Sequence, residues 1–202
     1  MRVGVLVSGS GTNLQALLDA EARGELAPAT IACVISSKPG VAALDRAASA
    51  NKPAVVVDHK QYGDRAAFED AVIAALDAHA VELVVLAGFM RVLTAQFTDR
   101  YQLRIINTHP SLLPAFPGAN APAQAIAHGV KVSGVTIHFV DASLDGGPII
   151  AQVPVAVAPG DDAGALHARI QREEHVLLPR TVQRLAAGLL TCQGRVVVER
   201  AE

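Results

Sequence analysis

Residues 3–13 read VGVLVSGSGTN, and this stretch decides the fold class. Its first five residues form a short apolar run rich in Val, which is typical of a buried β-strand. Two glycines then turn the chain, and Leu14, Leu17 and Leu18 follow at helical spacing. A buried strand, a glycine-rich turn and an amphipathic helix are typical of the opening unit of a parallel α/β fold.

The same alternation of strand and helix continues along the 202 residues of the chain. Because each early strand is continuously apolar, we predict a sheet that helices cover on both faces. The prediction is a single-domain α/β fold with a Rossmann-like, doubly wound, mostly parallel sheet flanked by helices. The predicted strands are residues 3–7, 31–35, 54–57, 82–87, 104–107, 133–140 and 148–157. The predicted helices are a first helix after residue 13, then residues 41–50, 68–79, 122–128 and 162–187, the last bent at Pro179.

Composition excludes several classes of protein. Hydrophobic residues make up 51% of the chain and the net charge is −2, so intrinsic disorder is excluded. The sequence has no cluster of basic residues of the kind that binds nucleic acid. Its apolar stretches are all shorter than the ~20 residues of a membrane span. Cys33 and Cys192 form no CxxC pair, so we expect a reduced, cytoplasmic protein.

The turn at residues 8–13, SGSGTN, predicts a phosphate site. Glycines let backbone N–H groups face an anion, and the N-terminus of the following helix adds partial positive charge. A nicotinamide dinucleotide site is an alternative, but Leu14 replaces the third glycine and no acidic residue ends the second strand. Ser37 and Lys38 keep a 2′-phosphate site open, and a plain turn with Asn13 capping the helix is the structural alternative.

Two further motifs carry candidate catalytic groups. Asn107 and His109 follow an apolar strand and point the same way on an extended chain, as an oxyanion donor beside a proton carrier would. Asp145 precedes a Gly-Gly pair in a tight loop, and a contact with His109 would keep that imidazole charged. The structural alternatives are a loop-capping Asn, a buried His and an ordinary Asp-Gly turn.

A metal site is an alternative to this interpretation. His109, His138 and Asp145 are of the residue types found in sites with two His and one carboxylate. We expect no metal, and interpret His138 as a residue of the pocket wall. The remaining histidines are interpreted as surface or core residues: His59, His79, His128, His167 and His175.

Taken together and in this order, the motifs resemble the glycinamide ribonucleotide transformylases, a family of folate-dependent formyltransferases of purine synthesis. The resemblance covers nearly the whole chain. It is carried by VLVSGSGTNLQ at 5–15, LAGFMRVL at 86–93, NTHPSLLP at 107–114 and LDGGP at 144–148. The first two segments narrow the match, although they also occur in the related formyltetrahydrofolate hydrolases.

The resemblance implies a division of the chain and a role for each matching residue. Residues of about 1–100 would form a nucleotide-phosphate half, and those of about 101–202 a folate and catalytic half. Asn107, His109 and Asp145 would be catalytic. The ribonucleotide would bind to Gly11, Thr12, Asn13, Gln171 and Glu174. The co-substrate, 10-formyltetrahydrofolate, would bind to Arg65, Met90, Arg91, Val92, Leu93, Asn107, Val140, Asp141 and Leu144.

The resemblance also leaves alternatives open. A hydrolase would use water in place of the amine, but that relative carries a regulatory domain before the first strand, and the first strand here begins near Met1. A methionyl-tRNA formyltransferase, a dehydrogenase and a non-catalytic nucleotide-binding module are further alternatives. Residues 119–124, ANAPAQ, depart from the His-containing family pattern. We expect no nucleic-acid or membrane partner, and a homodimer is kept open.

Overall fold

The computed structural model describes residues 1–200 as nine strands and six α-helices, with a single 3-10 turn at His59–Gln61. The strands are β1 (Arg2–Val7), β2 (Thr30–Ser36), β3 (Ala54–Val56), β4 (Leu83–Leu86), β5 (Ile105–His109), β6 (Val132–Phe139), β7 (Ile149–Ala156), β8 (Leu190–Gln193) and β9 (Val196–Glu199). The helices are α1 (Thr12–Ala22), α2 (Ala42–Ser49), α3 (Arg65–Ala78), α4 (Ala95–Arg100), α5 (Ala121–Ala127) and α6 (Ala163–Ala186).

All nine strands form one sheet, in the order β3-β2-β1-β4-β5-β6-β7-β9-β8. Strands β1 to β5 pair in parallel, whereas β6 is antiparallel to both of its neighbours. Strand order reverses at β1, which has β2 on one side and β4 on the other. In such sheets ligands bind in the crevice beyond the carboxyl ends of the strands at this reversal. The predicted single-domain, mostly parallel α/β fold is confirmed.

Two apolar clusters cover the faces of the sheet. One packs α1, α2 and α6 against one face and includes Leu14, Leu17, Ile170 and Leu178. The other packs α3 and α4 against the opposite face around Leu76 and Phe97. Helices on both faces explain why the central strands are apolar along their whole length.

The structure also contains elements that the sequence pattern did not predict. Helix α4 is six residues long, too short to show a helical period, and its N-cap Thr94 accepts a bond from Phe97 N. Strands β8 and β9 form a hairpin at the sheet edge, and β9 meets β7 at one register pair only. Strand β5 extends to His109, beyond the predicted end at residue 107, because β6 pairs alongside it there.

Candidate active site

The candidate catalytic residues lie where β5 pairs with β6. Asn107 and His109 project from the same face of β5, as their two-residue spacing requires. In the antiparallel register, His138 of β6 stands opposite Asn107, and Thr136 stands opposite His109. The strand pairing therefore fixes an amide and two imidazoles in one small region.

Asp145 reaches this region from the loop between β6 and β7. Its carboxylate lies 3.4 Å from His109 Nδ1 and 3.7 Å from His138 Nε2. Gly118 N donates a 2.7 Å hydrogen bond to the same carboxylate. The structure thus brings the three predicted catalytic residues Asn107, His109 and Asp145 together.

Both ring nitrogens of His109 face acceptors. His109 Nε2 lies 2.8 Å from the carbonyl oxygen of Phe116, which can only accept, so this nitrogen carries a proton. The other nitrogen faces Asp145. A ring that faces a carbonyl on one side and a carboxylate on the other is fully satisfied only when both nitrogens are protonated.

The predicted phosphate turn is held in an open conformation at the start of α1. Gly11 is the N-cap at φ 71°, and no side chain caps the helix, so its first N–H groups are available to an anion. Arg46 Nε donates a 2.8 Å bond to Ser10 O and anchors the turn. Asn13 does not cap the helix; its amide donates to Glu174 instead.

Helix α6 completes this turn from the far end of the chain. Gln171 Nε2 donates to Thr12 Oγ1 at 3.0 Å, and Asn13 Nδ2 donates to Glu174 Oε2 at 3.2 Å. Glu174 is buried, and Asn13 Oδ1 is buried without a partner. The five residues predicted to bind the ribonucleotide therefore surround one cavity of about 240 Å³, which we call the turn cavity.

A second cavity, the arginine cavity, lies beside the first. Its volume is about 390 Å³, and Arg65, Arg91 and Val92 line it together with His59, Tyr62, Asp64 and Phe68. Met90 lines both cavities and is 76% exposed, so the two cavities adjoin at this residue. Thr108 and Pro110, which flank His109, line the turn cavity.

Some predicted folate residues lie outside the arginine cavity. Leu93 is buried in the apolar cluster beneath it, and Val140 packs against that cluster. Asp141 accepts a hydrogen bond from Ser143 N in the following loop, and Leu144 is 62% exposed beyond it. The structure brings together Arg65, Met90, Arg91 and Val92, but it does not place the loop residues against them.

Several residues of the site have no signal in the isolated motifs. Thr108 and His167 line the turn cavity, and Thr108 Oγ1 is buried without a hydrogen-bond partner. The contact between His138 and Asn107 follows from the β5–β6 register, which the sequence alone does not give. Ser37, a residue that the dinucleotide alternative would use, is fully buried and bonded to Ser8.

The described residues offer neither a metal cluster nor a helix that could span a membrane. Residues 1–200 contain no group of three or more His, Cys, Asp or Glu side chains arranged to hold a metal ion. None of the helices within the same range is both long enough and apolar enough to cross a bilayer.

Comparison with known proteins decides the family. Residues 1–182 match the model of the "Formyl transferase" family. The chain belongs to the formyl transferase family. A phosphoribosylglycinamide formyltransferase of Mycobacterium tuberculosis is 46% identical over 96% of this formyl transferase and 89% of the relative.

Solved structures and longer relatives extend the comparison. A glycinamide ribonucleotide transformylase 1 from Symbiobacterium toebii superposes with a TM-score of 0.96 at 46% identity, over 98% of this formyl transferase and 93% of that chain. A formyltetrahydrofolate deformylase from Pseudomonas syringae superposes with a TM-score of 0.90 at 30% identity. The match covers 98% of this chain and 65% of the deformylase chain. A trifunctional purine biosynthetic protein of Drosophila melanogaster is 45% identical over 93% of the chain, which spans only 14% of that relative's length.

Proposed function

We propose that this formyl transferase moves the formyl group of 10-formyltetrahydrofolate to the amine of glycinamide ribonucleotide, in de novo purine synthesis. The observation that carries the proposal is the position of Met90 between two cavities of different chemistry. Two substrates bound side by side react as one unit, so their adjacency contributes to the rate.

The turn cavity suits the ribonucleotide. The uncapped start of α1 offers N–H donors to the phosphate, and the buried Glu174 carboxylate accepts hydrogen bonds from ribose hydroxyls. The unpartnered Oδ1 of Asn13 and Oγ1 of Thr108 are further acceptors that a bound ligand would satisfy.

The arginine cavity suits the reduced folate. Arg65 and Arg91 offer guanidinium groups to the carboxylates of the folate tail. The exposed apolar side chains of Met90 and Val92 offer surface to the flat pterin ring. The folate is a co-substrate in this proposal, and no metal takes part.

The proposed reaction is direct attack by the neutral amine. Its nitrogen lone pair forms a bond to the formyl carbon, and the carbonyl oxygen becomes an oxyanion. Asn107 Nδ2–H and protonated His109 stabilise this oxyanion, and Asp145 keeps His109 charged. His109 must exchange the Phe116 carbonyl for the substrate to do so. The bond from carbon to folate N10 then breaks, while the amine proton passes to N10 through His109 or water.

The first test follows the absorbance of a 10-formyl folate analogue with and without glycinamide ribonucleotide. Deformylation that requires the ribonucleotide and yields formylated ribonucleotide supports the transferase. Deformylation in its absence indicates a hydrolase, the activity named for the Pseudomonas syringae neighbour. No deformylation in either case indicates a binding module or a dehydrogenase.

Two variants test the catalytic roles within the same assay. Asn107→Ala and His109→Ala should each lower kcat by about 100- to 1000-fold, the usual effect of removing one oxyanion donor. Thermal unfolding of each variant serves as the control for a folding defect. Near-normal turnover in either variant contradicts the assignment.

The cellular location and the oligomeric state of the protein are also proposals. Free thiols at Cys33 and Cys192 are consistent with a reducing, cytoplasmic location. A homodimer stays a prediction, which light scattering coupled to size-exclusion chromatography tests directly.

A further inference from the structure

His138 is the one buried histidine of the β5–β6 region that the proposed reaction does not use. It is 1% exposed and stands opposite Asn107 in the strand register. Titratable groups face it from two neighbouring elements: His109 on β5, and Asp141 and Asp145 in the loop after β6. The protonation state of this buried imidazole determines whether it donates to the Asn107 amide or accepts from it.

The hydrogen bonds of His138 determine which nitrogen carries the proton. His138 Nδ1 lies 2.9 Å from the carbonyl oxygen of Phe139, which only accepts, so Nδ1 is protonated. Burial lowers the pKa of His138, outweighing the opposing influence of Asp145, and the ring is therefore neutral near pH 7. In that state Nε2 presents a bare lone pair.

This lone pair points at Asn107. His138 Nε2 lies 3.3 Å from Asn107 Nδ2, so the amide nitrogen donates to it. An amide can face either way unless a neighbour distinguishes its nitrogen from its oxygen, and a bare imidazole nitrogen does so. One N–H of Asn107 is held by His138, and the second is left for substrate.

In the same tautomer, His138 donates no hydrogen bond to the Asp145 carboxylate. The carboxylate lies 3.7 Å from His138 Nε2, and a bare nitrogen has no proton to give it. Asp145 is therefore left to Gly118 N and to His109. A protonated Nε2 would reverse both effects, because it would face the Asn107 donor and attract the carboxylate away from His109.

We propose that His138 is a positioning residue whose bare Nε2 orients the Asn107 amide and reserves Asp145 for His109. The proposal rests on the function proposed above, because its effect on turnover is an effect on formyl transfer. It concerns a group that touches Asn107 and not the substrate.

The test compares His138→Gln with His138→Leu. The Gln oxygen can accept at about the place of Nε2 and never titrates, whereas Leu removes the acceptor. We expect His138→Leu to lower kcat by about 10- to 100-fold, less than outright loss of an oxyanion donor, with the KM for ribonucleotide changed less than about twofold. His138→Gln should recover most of that loss. His79→Leu, at the end of α3 away from the site, is the matched control.

A second readout does not depend on turnover. Nitrogen-15 NMR of the imidazole of His138 should show a protonated Nδ1 and an unprotonated Nε2 at neutral pH. A neutral ring with the proton on Nε2, wild-type kcat in His138→Leu, or equal losses in the two variants at equal thermal stability would each overturn the proposal. Absence of formyl transfer in the wild type would instead refute the proposed function, and the NMR result would still test the tautomer.

Discussion

Asp145 holds three groups of the candidate site from a single position. Its backbone adopts a left-handed φ of 49°, which costs a non-glycine residue free energy. From there its carboxylate accepts the Gly118 N–H and faces both His109 and His138. Strain of this kind persists only where surrounding contacts fix it, and here those contacts are made by the Asp145 carboxylate.

Replacing Asp145 with Asn separates its charge from its shape. The amide oxygen can still accept from Gly118 N, but it no longer compensates a charged His109. We expect kcat to fall by about 100-fold or more while the thermal unfolding temperature changes little. Steady-state kinetics and calorimetry check this, and a loss of stability as large as that of Asp145→Ala would contradict it.

The buried, neutral His138 should make stability depend on pH. Its folded pKa lies below the ordinary value of 6.5, so below that pH the unfolded chain binds a proton that the folded chain does not. Stability is therefore fully present above about pH 6.5 and falls on acidification, by at most ~1.4 kcal/mol per pH unit, until the folded pKa is reached.

Urea unfolding of the wild type and of His138→Gln between about pH 8 and pH 5 measures this effect. The contributions of the other histidines cancel in the difference between the two proteins. The difference in unfolding free energy should shift in favour of the variant as the pH falls. Parallel curves for the two proteins would show that His138 binds its proton equally well in both states.

At the scale of elements, the junction of β1 and α1 depends on close packing against α2. Gly11 has φ 71°, and a Cβ there would lie 2.7 Å from Ala43 Cβ and 2.9 Å from Ala43 Cα. No side chain fits without moving α2. Glycine is thus required here for two reasons: the backbone is left-handed, and Ala43 leaves no room for a Cβ. This is also where the phosphate is proposed to bind.

Gly11→Ala should therefore cost more than an ordinary left-handed glycine. We expect a loss of about 2–4 kcal/mol in unfolding free energy, from the left-handed backbone plus overpacking, and a raised KM for ribonucleotide. Gly24→Ala is the matched control, because φ is 76° there and no atom lies within 4 Å of the added Cβ. Its loss should be about 1–2 kcal/mol, with KM unchanged. Equal losses in the two variants would exclude the contact with Ala43.

Elements with a strong local pattern were predictable, and those made by pairing were not. Helix α6 was predicted over 162–187 and spans Ala163–Ala186, because its apolar period is long and Asp162 caps it. The β8–β9 hairpin escaped prediction because each strand is only four residues long, and the two strands are defined mainly by pairing with each other. Pairing also moved the end of β5 from residue 107 to His109.

At the scale of the whole molecule, the sequence predicted the three candidate catalytic residues but not the distances between them. The motifs selected Asn107, His109 and Asp145, and the fold explains why the strand ends converge. The contact between His138 and Asn107 depends on strand register, and the position of Asp145 depends on a loop. Neither the register nor the distance from Asp145 to His109 follows from local sequence alone.

The two cavities should respond independently to mutation. Glu174→Ala removes a buried charged acceptor and should raise the KM for ribonucleotide by about 10- to 100-fold, with little change for folate. Arg65→Ala removes an exposed charge and should raise the KM for folate by about 2- to 5-fold, with little change for ribonucleotide. Two-substrate kinetics measures both constants, and a change in the same constant for both variants would show that the cavities act as one.

The bonds from Thr12 and Asn13 to helix α6 also have a consequence for synthesis of the chain. The phosphate turn leaves the ribosome about 160 residues before Gln171 and Glu174 do. The turn cavity therefore cannot form on a nascent chain until helix α6 has also been synthesised. The ribonucleotide can stabilise the folded protein by binding it, but it cannot assist the folding of partial chains that still lack α6.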